Sequence, residues 1–390
     1  MKEKVIILLY LSALLAAGIP KDDYWRHLRG NYQETYYEAY LPNFNLWLGY
    51  EIILPKHELS YMLIYVITTL CFSIALIRIT KTAPENTRIV FLSLFLWLIL
   101  PRIETARPVV LVSSLIALAW TLKERYAIPI GLSTIPLYWL SWIHLMPLAF
   151  KFRKGFLLPV ASLIFWLTYS KGEYFEIFIK LLKESSTREI LIGENRNPAL
   201  FLFKLVLILS PLIYIALEKR NAQILKTEKP TLLSALWFIL PMQARYMLDG
   251  ASFFLLSLSK HLPELPKTFV LLSIMLVFFT PLEKRNFKDF PQLEGKVFIA
   301  DFSQINFELT YRLEKAKITP PMEIKWASKE IYQNLKNIIM EEKFNCQLLC
   351  NTKTDWLIEK SLKEIPPCLE LYNVYQEYRI WKTKCQRRTP

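Results

Sequence analysis

Two adjacent carboxylates, Asp22 and Asp23, follow the first apolar run of the chain, and His27 comes four residues after the second. A carboxylate there can take the proton of an attacking hydroxyl as a general base. Its neighbour can order it, or share with it a divalent cation (Mg or Mn) that neutralises a departing phosphate. Two carboxylates this close repel, which raises the pKa of one and suits it to proton transfer. Adjacent side chains diverge on a helix or strand, so one of the pair faces a substrate, and the pattern does not say which. The plainer reading of the pair is a helix cap or an interfacial charge. His27 shares a helical face with Asp23 and is placed to bond the base or an acceptor; the plainer reading is a polar surface histidine.

Further ionisable groups stand close to the ends of apolar runs: Arg102, Glu104 and Arg107; His144 beside Trp142; Glu194 and Arg196; Arg245 and Asp249. Arginine bonds phosphate through a forked, charge-assisted contact, which makes Arg102, Arg107 and Arg245 candidate substrate-binding residues. Glu104 and Asp249 either line the same site or settle those arginines as ion pairs. His144 belongs to the same set, with a core or interfacial role as its alternative. The chain has no Gly-rich phosphate loop, no GxSxG and no HExxH, and four histidines in all do not make a histidine-rich metal site.

The elements that must hold these groups are apolar. Of 390 residues, 53% are hydrophobic, and long stretches such as Val5–Ile19, Tyr61–Ile77, Ile89–Leu100 and Leu200–Leu217 carry almost no charge. A bilayer core needs about 20 helical residues, and the pattern predicts an all-α polytopic membrane protein of about eleven hydrophobic helices, several of them short. Two pairs of short crossings complete the register: Ala127–Leu137 with Leu140–Phe150, and Leu232–Gln243 with Gly250–Ser259. Val5–Ile19 reads as a signal peptide or signal anchor. Basic loops such as Lys123/Arg125, Lys151/Arg153/Lys154 and Lys260/Lys267 are then cytoplasmic, and the groups named above gather on the external side. Eleven Trp and twenty Tyr suit interfacial belts. The net charge of +14 is spread over loops and the C-terminal part, which fits anionic lipid and not nucleic acid.

Two domains are expected: a transmembrane domain over residues 1–282 with a long first external loop over 21–59, and a small soluble α/β domain over 283–390, extracytoplasmic. The loop contains aromatic and acidic stretches, Tyr32–Tyr40 and Phe44–Ile53, able to lie on the bilayer surface. In the second domain Lys296–Ala300 reads as a strand and Asn306–Lys317 as a helix. Lys329–Lys343 reads as a second helix, Cys346–Cys350 as a strand, Asp355–Glu364 as a third helix and Leu369–Trp381 as one or two strands. Of five cysteines, Cys71 sits in an apolar run, and Cys346, Cys350, Cys368 and Cys385 are free thiols or disulfides according to compartment.

A short first helix, the Asp22-Asp23 pair, a long aromatic external loop, many short helices and a C-terminal soluble domain together resemble the GT-C superfamily of integral membrane glycosyltransferases. Asp23-Tyr-Trp-Arg-His-Leu-Arg-Gly30 is similar to the Asp-x-Trp-x-His-Leu-x-Gly opening of some members, and Arg107-Pro108 and Trp142-Ile-His144 are similar to further positions. The resemblance implies transfer of a sugar from a polyprenyl-phosphate donor to an extracytoplasmic acceptor (glycan, lipid or protein) at the cell inner membrane. Asp22 or Asp23 would be the base and any metal ligands. Two alternatives are a lipid or polysaccharide ligase or flippase-type transporter, and a non-catalytic membrane component with an external binding domain.

Overall fold

The computed structural model describes residues 2–17, 24–30, 45–185, 198–217, 221–239, 250–278, 287–300, 304–319, 346–351, 353–360 and 365–384. The chain forms two compact units. The first takes Met1–Gly18, Phe44–Glu176 and Thr187–Lys284; the second takes Ile19–Asn43, Ile177–Ser186 and Arg285–Pro390. The boundary near residue 283 is therefore not the whole division, because Ile19–Asn43, expected as part of an external loop of the first domain, groups with the C-terminal region.

The first unit is helical. It contains α1 (Lys2–Ala17), α3 (Leu48–Ile53), α4 (Ser60–Ile79), α5 (Glu85–Ile103) and α6 (Pro108–Trp120), where α2 (Tyr24–Arg29) belongs to the second unit. Then come α7 (Glu124–Thr134), α8 (Ser141–Lys151) and α9 (Leu157–Tyr169). α10 (Glu173–Ser185) is divided between the units after Glu176. α11 (Pro198–Leu217), α12 (Asn221–Thr227), α13 (Lys229–Ile239), α14 (Ser252–Ser257) and α15 (Lys267–Phe278) complete it. α6 is the central helix: it packs against α4 and α8, and nearly all of its side chains are buried.

The expectation of about eleven membrane crossings is overturned. Among the described residues, two helices are long and apolar enough to cross a bilayer, Ser60–Ile79 and Glu85–Ile103. Ala127–Leu137 breaks into α7 and a 3-10 turn, Leu140–Phe150 is the 11-residue α8, and Gly250–Ser259 is a six-residue helix followed by another 3-10 turn. The physical reason is that hydropathy records apolar surface without saying what covers it. The run Val109–Leu122 is apolar because α6 is enclosed by its neighbours, and 78% of the most apolar window of α5 is buried by protein too.

The second unit is built on a five-stranded sheet of order β2-β1-β3-β5-β4. β1 (Gly295–Ile299) pairs in parallel with β2 (Ala316–Thr319) on one side and β3 (Trp356–Glu359) on the other; β5 (Tyr378–Thr383) runs antiparallel to β3 and to the edge strand β4 (Leu369–Tyr375). α16 (Gln304–Arg312) connects β1 to β2, and α17 (Cys346–Asn351) precedes β3. Successive strand residues face opposite ways. Val297, Ile299, Ile358 and Ile380 meet Ile305, Leu309 and Leu313 around α16, while Phe298, Leu357 and Trp381 meet Leu349 of α17. A central strand covered on both faces has to be apolar throughout, as Val297–Ile299 is.

The structure differs from the sequence reading in this unit at three places. Cys346–Cys350 is helical, Asp355–Glu364 contains the strand β3, and the helix read over Asn306–Lys317 ends at Arg312, leaving Ala316–Thr319 as a strand. Segments of four to six residues are too short to show a period, and a strand apolar on both faces imitates a buried helix. The helix read over Lys329–Lys343 and the surface stretch Tyr32–Tyr40 lie outside the described residues.

A disulfide joins Cys346 at the start of α17 to Cys368 before β4, Cys350 is also disulfide-bonded, and Cys71 of α4 is a buried free thiol. Cys346 and Cys368 are 22 residues apart, and closing a loop of that length stabilises by about 3 kcal/mol. Replacing both Cys346 and Cys368 by Ala is expected to lower the unfolding free energy of the second unit by about that amount. Melting followed by hydrogen exchange would show the loss in the sheet and not in α4–α6.

Candidate functional site

The end of α5 and the start of α6 form a tight corner, Pro101-Arg102-Ile103-Glu104-Thr105-Ala106-Arg107-Pro108. Pro108 opens α6, where its fixed φ is pre-organised and its missing N–H costs nothing, and it holds Arg107 extended at φ −76°, ψ 147°. Ala106 turns the chain at φ 45°, a left-handed conformation that an L-residue adopts only under constraint. The constraint is visible. The Tyr50 hydroxyl donates to the Ala106 carbonyl, the Tyr65 hydroxyl donates to the Glu104 carbonyl at 2.6 Å, and the Thr105 hydroxyl donates to the Arg102 carbonyl at 2.6 Å.

The corner holds three charged side chains between two apolar helices. Arg102 is 4% exposed, Glu104 is 6% exposed, and Arg107 is partly buried. The buried phenol of Tyr10 in α1 lies within electrostatic reach of Glu104 and Tyr65. Buried charges of this kind are costly and are stable only when paired. Guanidinium groups in such a place are suited to holding an anionic oxygen through forked, charge-assisted bonds. Sequence reasoning found Arg102, Glu104 and Arg107; it missed Tyr10, Tyr50 and Tyr65, whose hydroxyls look on paper like any other interfacial tyrosine.

His144 lies further along the same unit. Its Nδ1 is 3.1 Å from Ser113 Oγ, and Ser113 donates its own hydrogen to the Val109 carbonyl at 2.9 Å. The Ser113 hydroxyl thus bridges the Val109 carbonyl and His144 Nδ1. His144 and Ser113 line a cavity of about 10 Å³ together with Phe238, Gly250, Phe253 and Phe254, room for about one water. Ser113 is six residues along α6 from Arg107, roughly 9 Å at helical rise, so His144 does not join the corner directly.

His27 belongs to the second unit and is fully buried there. Its helix, α2, lies on α16. Trp25 packs on Tyr311 at 5.3 Å between ring centroids, and the Arg312 guanidinium sits 5.0 Å above the Trp25 ring. Arg29 donates to the carbonyls of Thr310 (2.6 Å), Leu313 (2.8 Å) and Glu314 (2.7 Å). These carbonyls lie in and just after the last turn of α16, where a helix runs out of intrahelical donors. Two residues of the Asp23–Gly30 motif thus serve the packing of an α/β unit. Asp22, Asp23, Arg245 and Asp249 lie outside the described residues, so the expected set is brought together only at Arg102, Glu104 and Arg107. Among the described residues no group of three His, Cys, Asp or Glu side chains could hold a metal ion.

A second charged network in the helical unit was read from sequence only as basic loops. Glu228, between α12 and α13, accepts from Lys260 at 2.7 Å, His261 at 3.1 Å and Thr231 at 2.9 Å. Lys151, at the end of α8, donates to the Trp120 carbonyl at the end of α6 and lies 4.8 Å above the Trp120 ring. Burial, with Lys260 nearby, pushes the Lys151 ammonium down to about 8, against the pull of Glu228. The only sequence signal for the network was a lone glutamate among lysines at Lys226–Lys229. No family model matches the sequence, and no curated protein or solved structure is significantly similar to it.

Two predictions follow from these contacts. Arg29→Ala is expected to destabilise the second unit by about 2–3 kcal/mol in denaturant unfolding, because several charge-assisted bonds are lost together. Arg29→Lys recovers only part of this, since one ammonium cannot fork across three carbonyls. Burial alone would raise the Glu228 carboxyl, but Lys260, His261 and Thr231 outweigh it and hold it below the ordinary carboxylate value. A lowered folded-state pKa contributes stability that is full above the unfolded value and lost as pH falls through the folded one. Glu228→Gln should therefore lower the melting temperature at pH 7 and flatten its decline below about pH 4.5.

Proposed function

We propose that this chain is a membrane glycosyltransferase that moves a sugar from a polyprenyl-phosphate donor to an extracytoplasmic acceptor. The observation that carries the reading is the buried corner of Arg102, Glu104 and Arg107, charged side chains set between two apolar helices. Ionisable groups in such surroundings are generally kept for a task. Arg102 and Arg107 grip the donor phosphate through forked bonds, and Glu104 balances them when the site is empty. The acceptor oxygen attacks the anomeric carbon, the bond from that carbon to the phosphate oxygen breaks, and the lipid phosphate leaves with the bonding pair. The acceptor's proton goes to a carboxylate base, the role that the sequence resemblance gives to Asp22 or Asp23.

Two further observations support the setting. The outer side of the helical unit carries Leu8, Ile52, Ile164, Val206 and Leu271, each more than half exposed, a surface suited to lipid. The second unit carries disulfides, which persist in oxidising compartments outside the cytoplasm. The non-catalytic reading, a membrane component with an external binding domain, draws on one observation: Trp25 and Arg29 are engaged in packing α16.

Purified protein incubated with a panel of radiolabelled polyprenyl-phosphate sugars tests the proposal. Wild type is expected to release or transfer sugar, Asp22→Asn or Asp23→Asn to abolish this, and Arg102→Gln to reduce it roughly 10- to 150-fold, the worth of a charge-assisted bond. Absence of turnover with every donor, in protein that melts cooperatively, would sink the transferase reading in favour of the binding component.

A further inference from the structure

Two basic segments of the helical unit, residues 123–125 at the start of α7 and 151–154 between α8 and α9, are held side by side. The Glu124 carboxylate accepts the backbone N–H of Lys154 at 2.7 Å, and Lys151 donates to the Trp120 carbonyl at the end of α6. α7 also packs on α9, so closely that a Cβ at Gly131 would lie 2.7 Å from the Leu158 side chain. The two segments carry five cations and one carboxylate, and that carboxylate is the one engaged by Lys154 N–H. Lys123, Arg125, Arg153 and Lys154 are exposed, and among the described residues none of them is in an ion pair. Arg125 touches only the exposed ring of its neighbour Tyr126, at 4.7 Å. Cations ahead of a helix oppose its dipole, so the stability of α7 and α9 does not account for them. Like charges gathered on one edge repel, and an anion from outside relieves the repulsion.

The surface beside them narrows the kind of anion. Phe156, Leu157, Val160 and Ile164 fall within about 100° of one another at 3.6 residues per turn. Three of them are more than half exposed, and Val160 is almost so. Leu158, Ser162 and Trp166 take the other side of α9 and are buried. An apolar stripe therefore runs on directly from Arg153 and Lys154. A nucleic acid or an acidic peptide would meet the cations and leave this stripe in water. A phospholipid meets the cations with its headgroup and the stripe with its chains.

We infer that residues 123–125 and 151–154, with the exposed stripe of α9, form a docking surface for anionic phospholipid. The headgroup phosphates lie among Arg125, Arg153 and Lys154, and the acyl chains lie along Leu157, Val160 and Ile164. The inference rests on the membrane setting proposed above and deepens it. α6 runs from Arg107 to Trp120, roughly 20 Å, so the basic edge is at the opposite end of that helix from the Arg102–Arg107 corner. With this edge at an anionic leaflet, the corner is directed away from that leaflet.

The test titrates phosphatidylglycerol, phosphatidylcholine and polyglutamate separately into the full chain in neutral detergent, read by native mass spectrometry and thermal melting. Wild type is compared with a charge variant (Arg125→Gln, Arg153→Gln and Lys154→Gln together) and an apolar variant (Val160→Ser with Ile164→Ser). Wild type is expected to bind phosphatidylglycerol in preference to the other two. The charge variant should bind it roughly tenfold or more weakly and lose the preference over phosphatidylcholine. The apolar variant should weaken both lipids and leave polyglutamate unchanged. Equal phosphatidylglycerol binding by wild type and either variant would overturn the inference. Polyglutamate bound as tightly as phosphatidylglycerol would overturn it in favour of an acidic partner. A charge variant that melts lower than wild type without lipid would make the cations structural and overturn it too. Lipid binding that depends on these cations, in protein that turns over no sugar donor, sinks only the transferase reading; turnover with no such dependence sinks only this one.

Discussion

The guanidinium of Arg29 closes the C-terminal end of α16, and the second unit exists in its present form because of that contact. The carbonyls it reaches are 281 to 285 residues away along the chain. Closing a loop of that size costs entropy that grows only slowly with length, so a handful of strong bonds is enough to hold it. Trp25 adds the apolar part by packing on Tyr311 beneath the Arg312 guanidinium, and Arg312 is itself fixed by Glu308 at 2.6 Å. Residues 24–30 thereby pack on α16, the helix whose apolar side chains meet one face of the sheet. The helical unit lies between them in sequence as an insertion, beginning at Phe44 and ending at Lys284 apart from Ile177–Ser186.

That arrangement explains why the most chemical-looking segment of the sequence was only partly readable. Asp-x-Trp-x-His-Leu-x-Gly has the types and spacing of a catalytic opening, yet Trp and Arg are also the residues best suited to pack on and cap another helix. Nothing in Trp25 or Arg29 alone tells the two uses apart, because the partner is nearly three hundred residues distant. The Arg102–Arg107 corner was legible for the opposite reason. Its charges stand between two apolar runs and next to a proline, so both the turn and the burial follow from local sequence. The tyrosines that hold it come from residues 50 and 65, and their role depends on packing that no local pattern encodes.

The fold itself was legible where a period could be counted. α4 and α5 contain the apolar runs Tyr61–Ile77 and Ile89–Leu100, and the alternation of Leu369–Trp381 marks a hairpin. Counting crossings failed at the short runs. Apolar segments of 11–13 residues such as α6 and α8 pack on each other, and in that setting they carry the same hydropathy as lipid-facing helices.

The shortness of α6 has structural consequences at both of its ends. Thirteen residues make a helix roughly 20 Å long, whereas the 19 residues of α5 run roughly 28 Å. α6 ends at Trp120, whose side chain is buried. A helix end buried in this way requires a donor. Lys151 supplies it to the Trp120 carbonyl, and the positive charge also suits the negative end of the helix dipole. At the other end the helix presents its positive pole, flanked by Arg107, toward the corner. The pole and the two arginines act in the same sense, so an anion bound at that corner would be favoured by the backbone as well as by the side chains.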